Sequence, residues 1–104
     1  MSNDLSKKVS LITGGCGLLG QEHCKALLEK GAIVYSGDIK LLKSDKFNDE
    51  KNYKQVYLDV TSEKSIKSIL NKILNQENRV DILINNAAID SKVEKNSSLD
   101  FSRL

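Results

Sequence analysis

A strong excess of charge of either sign is missing from this sequence. Sixteen basic residues stand against fourteen acidic ones, a formal net of +2, and the signs are interspersed, which leaves no footprint for nucleic acid or an anionic membrane. The lysines between Lys40 and Lys54 are diluted by Asp45, Asp49 and Glu50 and read as a solvated loop. No apolar run approaches the roughly 20 residues of a membrane span. The opening Met-Ser-Asn-Asp lacks the charged-then-apolar build of a secretion signal, so the expected location is the cytoplasm. Histidine occurs once and cysteine twice. Cys16 and Cys24 have neither zinc nor redox spacing. His23 has no matching serine, cysteine or ligand cluster, and no metal site is expected. Proline and tryptophan are absent and 39% of the 104 residues are apolar, which allows at most one small domain.

What is present is concentrated glycine. Thr13-Gly14-Gly15-Cys16-Gly17-Leu18-Leu19-Gly20 follows the short apolar run Val9-Ser10-Leu11-Ile12, a buried-strand pattern, and precedes Gln21 to Lys30, a helix-forming segment closed by Gly31. Strand, glycine turn and helix form the context in which Gly15, Gly17 and Gly20 match a G-x-G-x-x-G phosphate-binding turn. Glycines let the backbone turn tightly and approach a pyrophosphate, and the N–H groups at the helix start receive the anion. On the helix, His23, Ala26, Leu27 and Lys30, with Leu19 ahead of them, define the expected packed face. Cys24 is expected to pack as a small apolar group.

Further along, Ile33 to Asp38 reads as a second strand. Asp38 ends it, where a carboxylate can accept hydrogen bonds from the hydroxyls of an adenosine ribose. The same charge repels a 2′-phosphate, so NAD is expected over NADP, although Lys40 lies two residues on. Residues 41–53 read as an irregular segment with Leu41, Leu42 and Phe47 as anchors. Gln55 to Val60 reads as a third strand, followed by a helix capped at Thr61 or Ser62. Ile66, Ile69, Leu70 and Ile73 form its apolar stripe. Val80 to Ile84 is a fourth strand, apolar enough to be covered on both faces, and it runs into Asn85-Asn86-Ala87-Ala88. The alternation predicts an α/β fold with a parallel sheet, in the order 3-2-1-4, flanked by helices and ending after the fourth strand. Its carboxyl edge then gathers the glycine turn, Asp38, Asp59 and Asn86, where open α/β sheets bind ligands.

These residues resemble the short-chain dehydrogenase/reductase family over roughly residues 8–90. Thr13 to Gly20 is similar to its T-G-x-x-x-G-x-G loop, with Leu18 where the compact branch has the second glycine. Gly17 instead fits the T-G-x-x-G-x-x-G spacing of the extended branch, which includes nucleotide-sugar epimerases. Leu58-Asp59-Val60 resembles the D-V element whose aspartate meets the adenine amino group. Asn85 to Ala88 looks like N-N-A-G with alanine last, a mark of the compact branch. The resemblance implies a partial Rossmann-like NAD(P)-binding domain over residues 1–104. Its cofactor-binding residues are Gly14, Gly17, Leu18, Leu19, Gly20, Asp38, Asp59, Val60, Asn86, Ala87 and Ala88.

It also implies an oxidoreductase that interconverts an alcohol and a ketone, with a small-molecule substrate and a homo-oligomeric full-length protein. The family's serine and Y-x-x-x-K are not matched. Tyr35, Tyr53 and Tyr57 lack a lysine four residues on, and Ser91, Ser97 and Ser98 come too early, so no catalytic residue is assigned. The chain is therefore expected to be the adenosine-binding half of a longer enzyme, with a fourth-strand edge that makes it unstable or associating when isolated. The alternatives are a non-catalytic dinucleotide-binding fragment, an extended-branch enzyme of nucleotide sugars and, from the glycine turn and acid alone, a methyltransferase.

Overall fold

The computed structural model describes residues 4–43 and 46–87. Six elements follow one another: β1 (Val9–Thr13), α1 (Leu18–Glu29), β2 (Ile33–Asp38), β3 (Tyr53–Tyr57), α2 (Glu63–Glu77) and β4 (Ile82–Asn85). The four strands make one sheet in the order β3-β2-β1-β4, and every pairing is parallel. This is the expected architecture.

Alternation along the central strands builds a core on each face of the sheet. Val9, Leu11 and Tyr35 point to one side and pack with Val56, Leu58 and the α2 stripe of Ile66, Ile69 and Ile73. Ile12 and Val34 point to the other and pack with Cys24 and Leu27 of α1, Ala32, Phe47 and Tyr53. Both faces of β1 are covered, and all five of its residues are buried, as a central parallel strand requires. At the far end of α2 the buried Tyr35 hydroxyl donates to Glu77 Oε2 at 2.6 Å, with Gln76 Oε1 at 2.8 Å. Burial, and then the Glu77 carboxylate, push this phenol above its ordinary range. Ser62 caps α2 by accepting the Ser65 N–H at 3.1 Å, and Asn78 closes it in the left-handed conformation.

Four expectations are corrected. First, α1 begins at Leu18 rather than Gln21 and buries Gly20, Cys24 and Leu27. Leu19 is 62% exposed, and Ala26 and Lys30 face solvent. The reason lies at Gly20, which is pressed against the Gly14 carbonyl and the Gly15 backbone. That contact sets the rotation of the helix and brings Cys24, one turn on, against the sheet.

Second, β3 runs over 53–57, two residues earlier than Gln55 to Val60. Pairing ends at Asp38↔Tyr57, and Asp59 then captures the Thr61 N–H at 2.9 Å, bending the chain towards α2. Third, β4 starts at Ile82, because Asp81 spends its side chain on the Val9 N–H at 2.9 Å. Ile82, Leu83 and Ile84 touch the two core clusters but stay half-buried, since β4 is an edge of the sheet. Fourth, of the three expected anchors Phe47 is buried, stacked at a tilt 5.3 Å from the Tyr53 ring, whereas Leu41 is exposed.

Candidate functional site

The parallel order brings the carboxyl ends of all four strands to one edge, and the segments leaving them enclose an open cleft of about 520 Å³. Its size lies within the usual range of small-molecule sites, about 300–1,000 Å³. Among the sequence-predicted residues it is lined by Gly14, Gly17, Leu18, Leu19, Asp38, Asp59, Val60, Asn86 and Ala87. Gly20 does not line it but lies buried beneath the turn. Ala88 lies outside the described residues, as do Ser91, Ser97 and Ser98. Ile39, Leu58 and Thr61 also line the cleft and were not anticipated. Each adjoins a predicted carboxylate or its strand end, the only signal that could have found them.

The turn is tight for identifiable reasons. Gly14 has φ of +66°, and a Cβ there would stand 3.0 Å from the Ala87 Cα; only glycine meets both demands. The Gly17 N–H closes the turn on the Gly14 carbonyl at 3.2 Å, and the Gly15 N–H reaches the Gly37 carbonyl of β2 at 3.2 Å. Gly17 then becomes the N-cap of α1, with no side-chain cap and no acidic residue in the first turn. The first helical bond is Gln21 N–H to the Gly17 carbonyl, 2.9 Å, so the N–H groups of Leu18, Leu19 and Gly20 have no intrahelical acceptor. Uncapped donors and the positive end of a 12-residue helix border the cleft, which is an anion-receiving arrangement.

Asp38 stands on the opposite side of the turn. Its Oδ2 accepts the Cys16 N–H at 3.2 Å, and its Oδ1 accepts the Lys40 N–H at 3.2 Å. The carboxylate is thus anchored to the glycine turn and to the loop after β2. Across the cleft, Asp59 Oδ1 accepts both the Thr61 hydroxyl (2.6 Å) and the Thr61 N–H. Those two bonds hold its carboxyl below the ordinary range, and they leave Oδ2 without a hydrogen-bond partner among the described residues.

At the β1–β4 seam the buried Thr13 hydroxyl donates to Asn85 Oδ1 at 3.0 Å and accepts the N–H groups of Asn86 and Ala87 at 2.9 and 3.0 Å. Asn86 Nδ2 donates to the Gly14 carbonyl at 3.2 Å. The asparagine run is therefore stitched to the glycine turn, a role for Thr13 that spacing alone did not reveal. Among the described residues no group of three or more His, Cys, Asp or Glu side chains could hold a metal ion, and no helix is long and apolar enough to cross a membrane.

A doubly covered parallel sheet, a glycine turn running into an uncapped helix and a carboxylate at the next strand tip define an α/β fold of the dinucleotide-binding kind. The family profile of the short chain dehydrogenases matches residues 8–104, and the chain belongs to that family. It is 33% identical over 98 residues to a cyclopentanol dehydrogenase of Comamonas sp., an alignment covering 82% of this chain and 36% of that protein. It is 32% identical over 108 residues to a 3-beta-hydroxysteroid dehydrogenase of Comamonas testosteroni, covering 100% of this chain and 42% of the other. Among solved structures, a short chain dehydrogenase from Leptospira borgpetersenii with bound NAD+ superposes with a TM-score of 0.72 at 34% identity. That match covers 82% of this chain and 33% of that one. The chain therefore spans between a third and a half of the length of these relatives and carries the N-terminal part of the family's dinucleotide-binding fold.

Proposed function

We propose that the chain holds the adenosine and pyrophosphate of NAD, and that the protein it serves is an oxidoreductase interconverting an alcohol and a ketone. One observation carries this reading. Asp38, tied by its own oxygens to Cys16 and Lys40, lies at the tip of β2 beside the uncapped start of α1. A cleft that offers backbone donors at one point and a fixed carboxylate at the other suits a pyrophosphate flanked by a ribose diol.

The residues fit such a group on steric grounds as well. At Gly17 the nearest atom to an added Cβ is 3.6 Å away, so its bareness is not demanded by packing and leaves the backbone approachable. The N–H groups of Leu18 and Leu19, which line the cleft, receive the phosphates. Asp38 accepts from the ribose hydroxyls and disfavours a 2′-phosphate. Asp59 and Val60 flank the adenine, with Ile39 as an apolar wall. Asn86 and Ala87 border the path towards the nicotinamide. NAD, when bound, supplies the hydride acceptor, and the residues described here orient it and carry no proton to the substrate.

The cyclopentanol and hydroxysteroid dehydrogenases among the relatives favour an alcohol as substrate class. Titration calorimetry with NAD, NADP and S-adenosylmethionine tests the binding claim. NAD should bind best, and Asp38→Ala should weaken it about tenfold, the loss of a charged hydrogen bond. Preference for S-adenosylmethionine, or indifference to Asp38→Ala, overturns it. NADH formation from simple secondary alcohols tests the reaction.

A further inference from the structure

Outside the cleft, one side chain gathers an unusual number of partners. Gln55 lies on β3, the outer edge of the sheet. Its Oε1 accepts the Leu42 N–H at 2.7 Å, and its Nε2 donates to the Leu42 carbonyl at 2.9 Å. A side-chain amide that both accepts from and donates to one residue's backbone reproduces a rung of β-ladder, and the pattern fixes which end of the amide is oxygen. Nε2 also lies 3.3 Å from Asn48 Oδ1, and Oε1 receives the Cys16 thiol at 3.3 Å.

Cys16 is the same residue whose N–H reaches Asp38, and Asp38 also holds the N–H of Lys40, two residues before Leu42. The contacts close into a ring: Asp38 to Cys16, Cys16 to Gln55, Gln55 to Leu42, and back along the chain through Lys40 to Asp38. Segment 40–42 is thereby tied at both ends. The exposed Lys40 is the cation nearest in sequence to the Asp38 carboxylate.

We propose that Gln55 is a positioning residue that sets the preference for NAD over NADP by pinning segment 40–42 against β3. The inference rests on the dinucleotide reading of the cleft. With the ring intact, the charge fixed at the tip of β2 is the Asp38 carboxylate, and the Lys40 backbone is kept from approaching a ribose 2′-phosphate. With Gln55 removed, the Leu42 N–H and carbonyl lose these bonds and the Cys16 thiol loses its contact with β3. Segment 40–42 can then rearrange so that the Lys40 ammonium pairs with a 2′-phosphate. Gln55 touches no ligand in this account; it acts through Leu42 and Cys16.

The test is calorimetry with NAD and with NADP on the whole natural protein, unaltered and as Gln55→Met and Asp38→Ala. Methionine keeps the length of glutamine and removes its hydrogen bonds. The ratio of the NADP Kd to the NAD Kd should fall about threefold to tenfold in Gln55→Met, the scale of one or two lost hydrogen bonds. A residue that merely stabilises the fold would weaken both ligands alike and leave the ratio alone. An unchanged ratio in Gln55→Met, with the unaltered protein still preferring NAD and Asp38→Ala still impaired, overturns the role of Gln55 and leaves the cleft reading standing. An unaltered protein that binds neither dinucleotide, or prefers NADP, overturns both. Should Gln55→Met fail to fold, amide hydrogen exchange on the unaltered protein decides. Protection of the Leu42 N–H that rises with NAD supports the pinning, and exchange at the rate of an unstructured amide overturns it.

Discussion

The Thr13 hydroxyl lies 2.9 Å from the backbone N–H of Asn86, 73 positions away in the chain. Because the same oxygen also takes the Ala87 N–H and gives its proton to Asn85, one side chain holds the ends of β1 and β4 in register where the cleft begins. Thr13→Val keeps the shape and deletes the acceptor, leaving two backbone donors without a partner. Thermal or urea unfolding should register a loss of about 1–3 kcal/mol, the cost of unsatisfied buried groups. Thr13→Ser, which retains the oxygen, should recover most of it. A loss in Thr13→Ser with none in Thr13→Val would mean that the methyl group rather than the hydroxyl matters.

The glycines of the turn separate into structural and ligand-facing ones. An added Cβ at Gly20 would overlap the Gly14 carbonyl and approach the Gly15 Cα to 2.7 Å. Those atoms are backbone and cannot swing away, so Gly20→Ala should destabilise the fold by about 1–3 kcal/mol, as overpacking does. Gly17 has φ of −77° and a nearest atom at 3.6 Å, so Gly17→Ala should melt within a few degrees of the parent. If Gly17→Ala nevertheless loses NAD affinity in calorimetry, the space at that position serves the ligand. Unchanged affinity would remove Gly17 from the binding site.

The parallel sheet was readable because its signals are local: apolar strand runs, an Asp at the end of β2 and a 3.6-residue stripe on α2. The strand order and the span of β2 are those expected from them. What could not be read depends on contacts distant in sequence. The face of α1 is chosen by Gly20 meeting Gly14; helical spacing found Leu27 but also put the exposed Ala26 and Lys30 on that face. The start of β3 is chosen by Tyr53 packing on Phe47, and its end by Asp59 turning to Thr61. Thr13 and Gln55 are small or neutral polar residues whose importance lies wholly in partners on other elements. No periodicity marks such residues.

Beneath the turn sits a further consequence. Ser36 is fully buried on β2, and its Oγ has no hydrogen-bond partner among the described residues. A buried hydroxyl without a partner costs free energy, so Ser36→Ala should be neutral or stabilise by about 1 kcal/mol, measured by urea denaturation. The exchange should not make room for a side chain at Gly15. A Cβ there also lies 2.9 Å from the Ser36 Cβ and 3.0 Å from its Cα. The pair Ser36→Ala with Gly15→Ala should therefore remain less stable than the parent. A double variant of full stability would show that the Oγ alone had blocked the position.

At the other end of the sheet, Asp81 links the start of β4 to β1 and gives the fold a definite response to acid. Its Oδ2 accepts the Val9 N–H at 2.9 Å and Arg79 Nε at 2.7 Å, while Oδ1 accepts Arg79 Nη2 at 2.8 Å. The Arg79 guanidinium first, and then the Val9 N–H, lower its carboxyl to a pKa of about 2, against about 3.9 for an unfolded aspartate. Because the folded value is the lower one, the unfolded chain binds the proton more readily. The stabilisation is therefore complete above about pH 4 and disappears as pH falls towards about 2. Asp81→Asn should melt below the parent at neutral pH, and the two curves should converge near pH 2. The Arg79 arm of the contact is half-exposed and is screened by salt, whereas the Val9 bond is not, so high salt at neutral pH should narrow the gap without closing it. A gap of the same size at pH 2 and pH 7 would mean that Asp81 acts there by shape alone, with its charge contributing nothing.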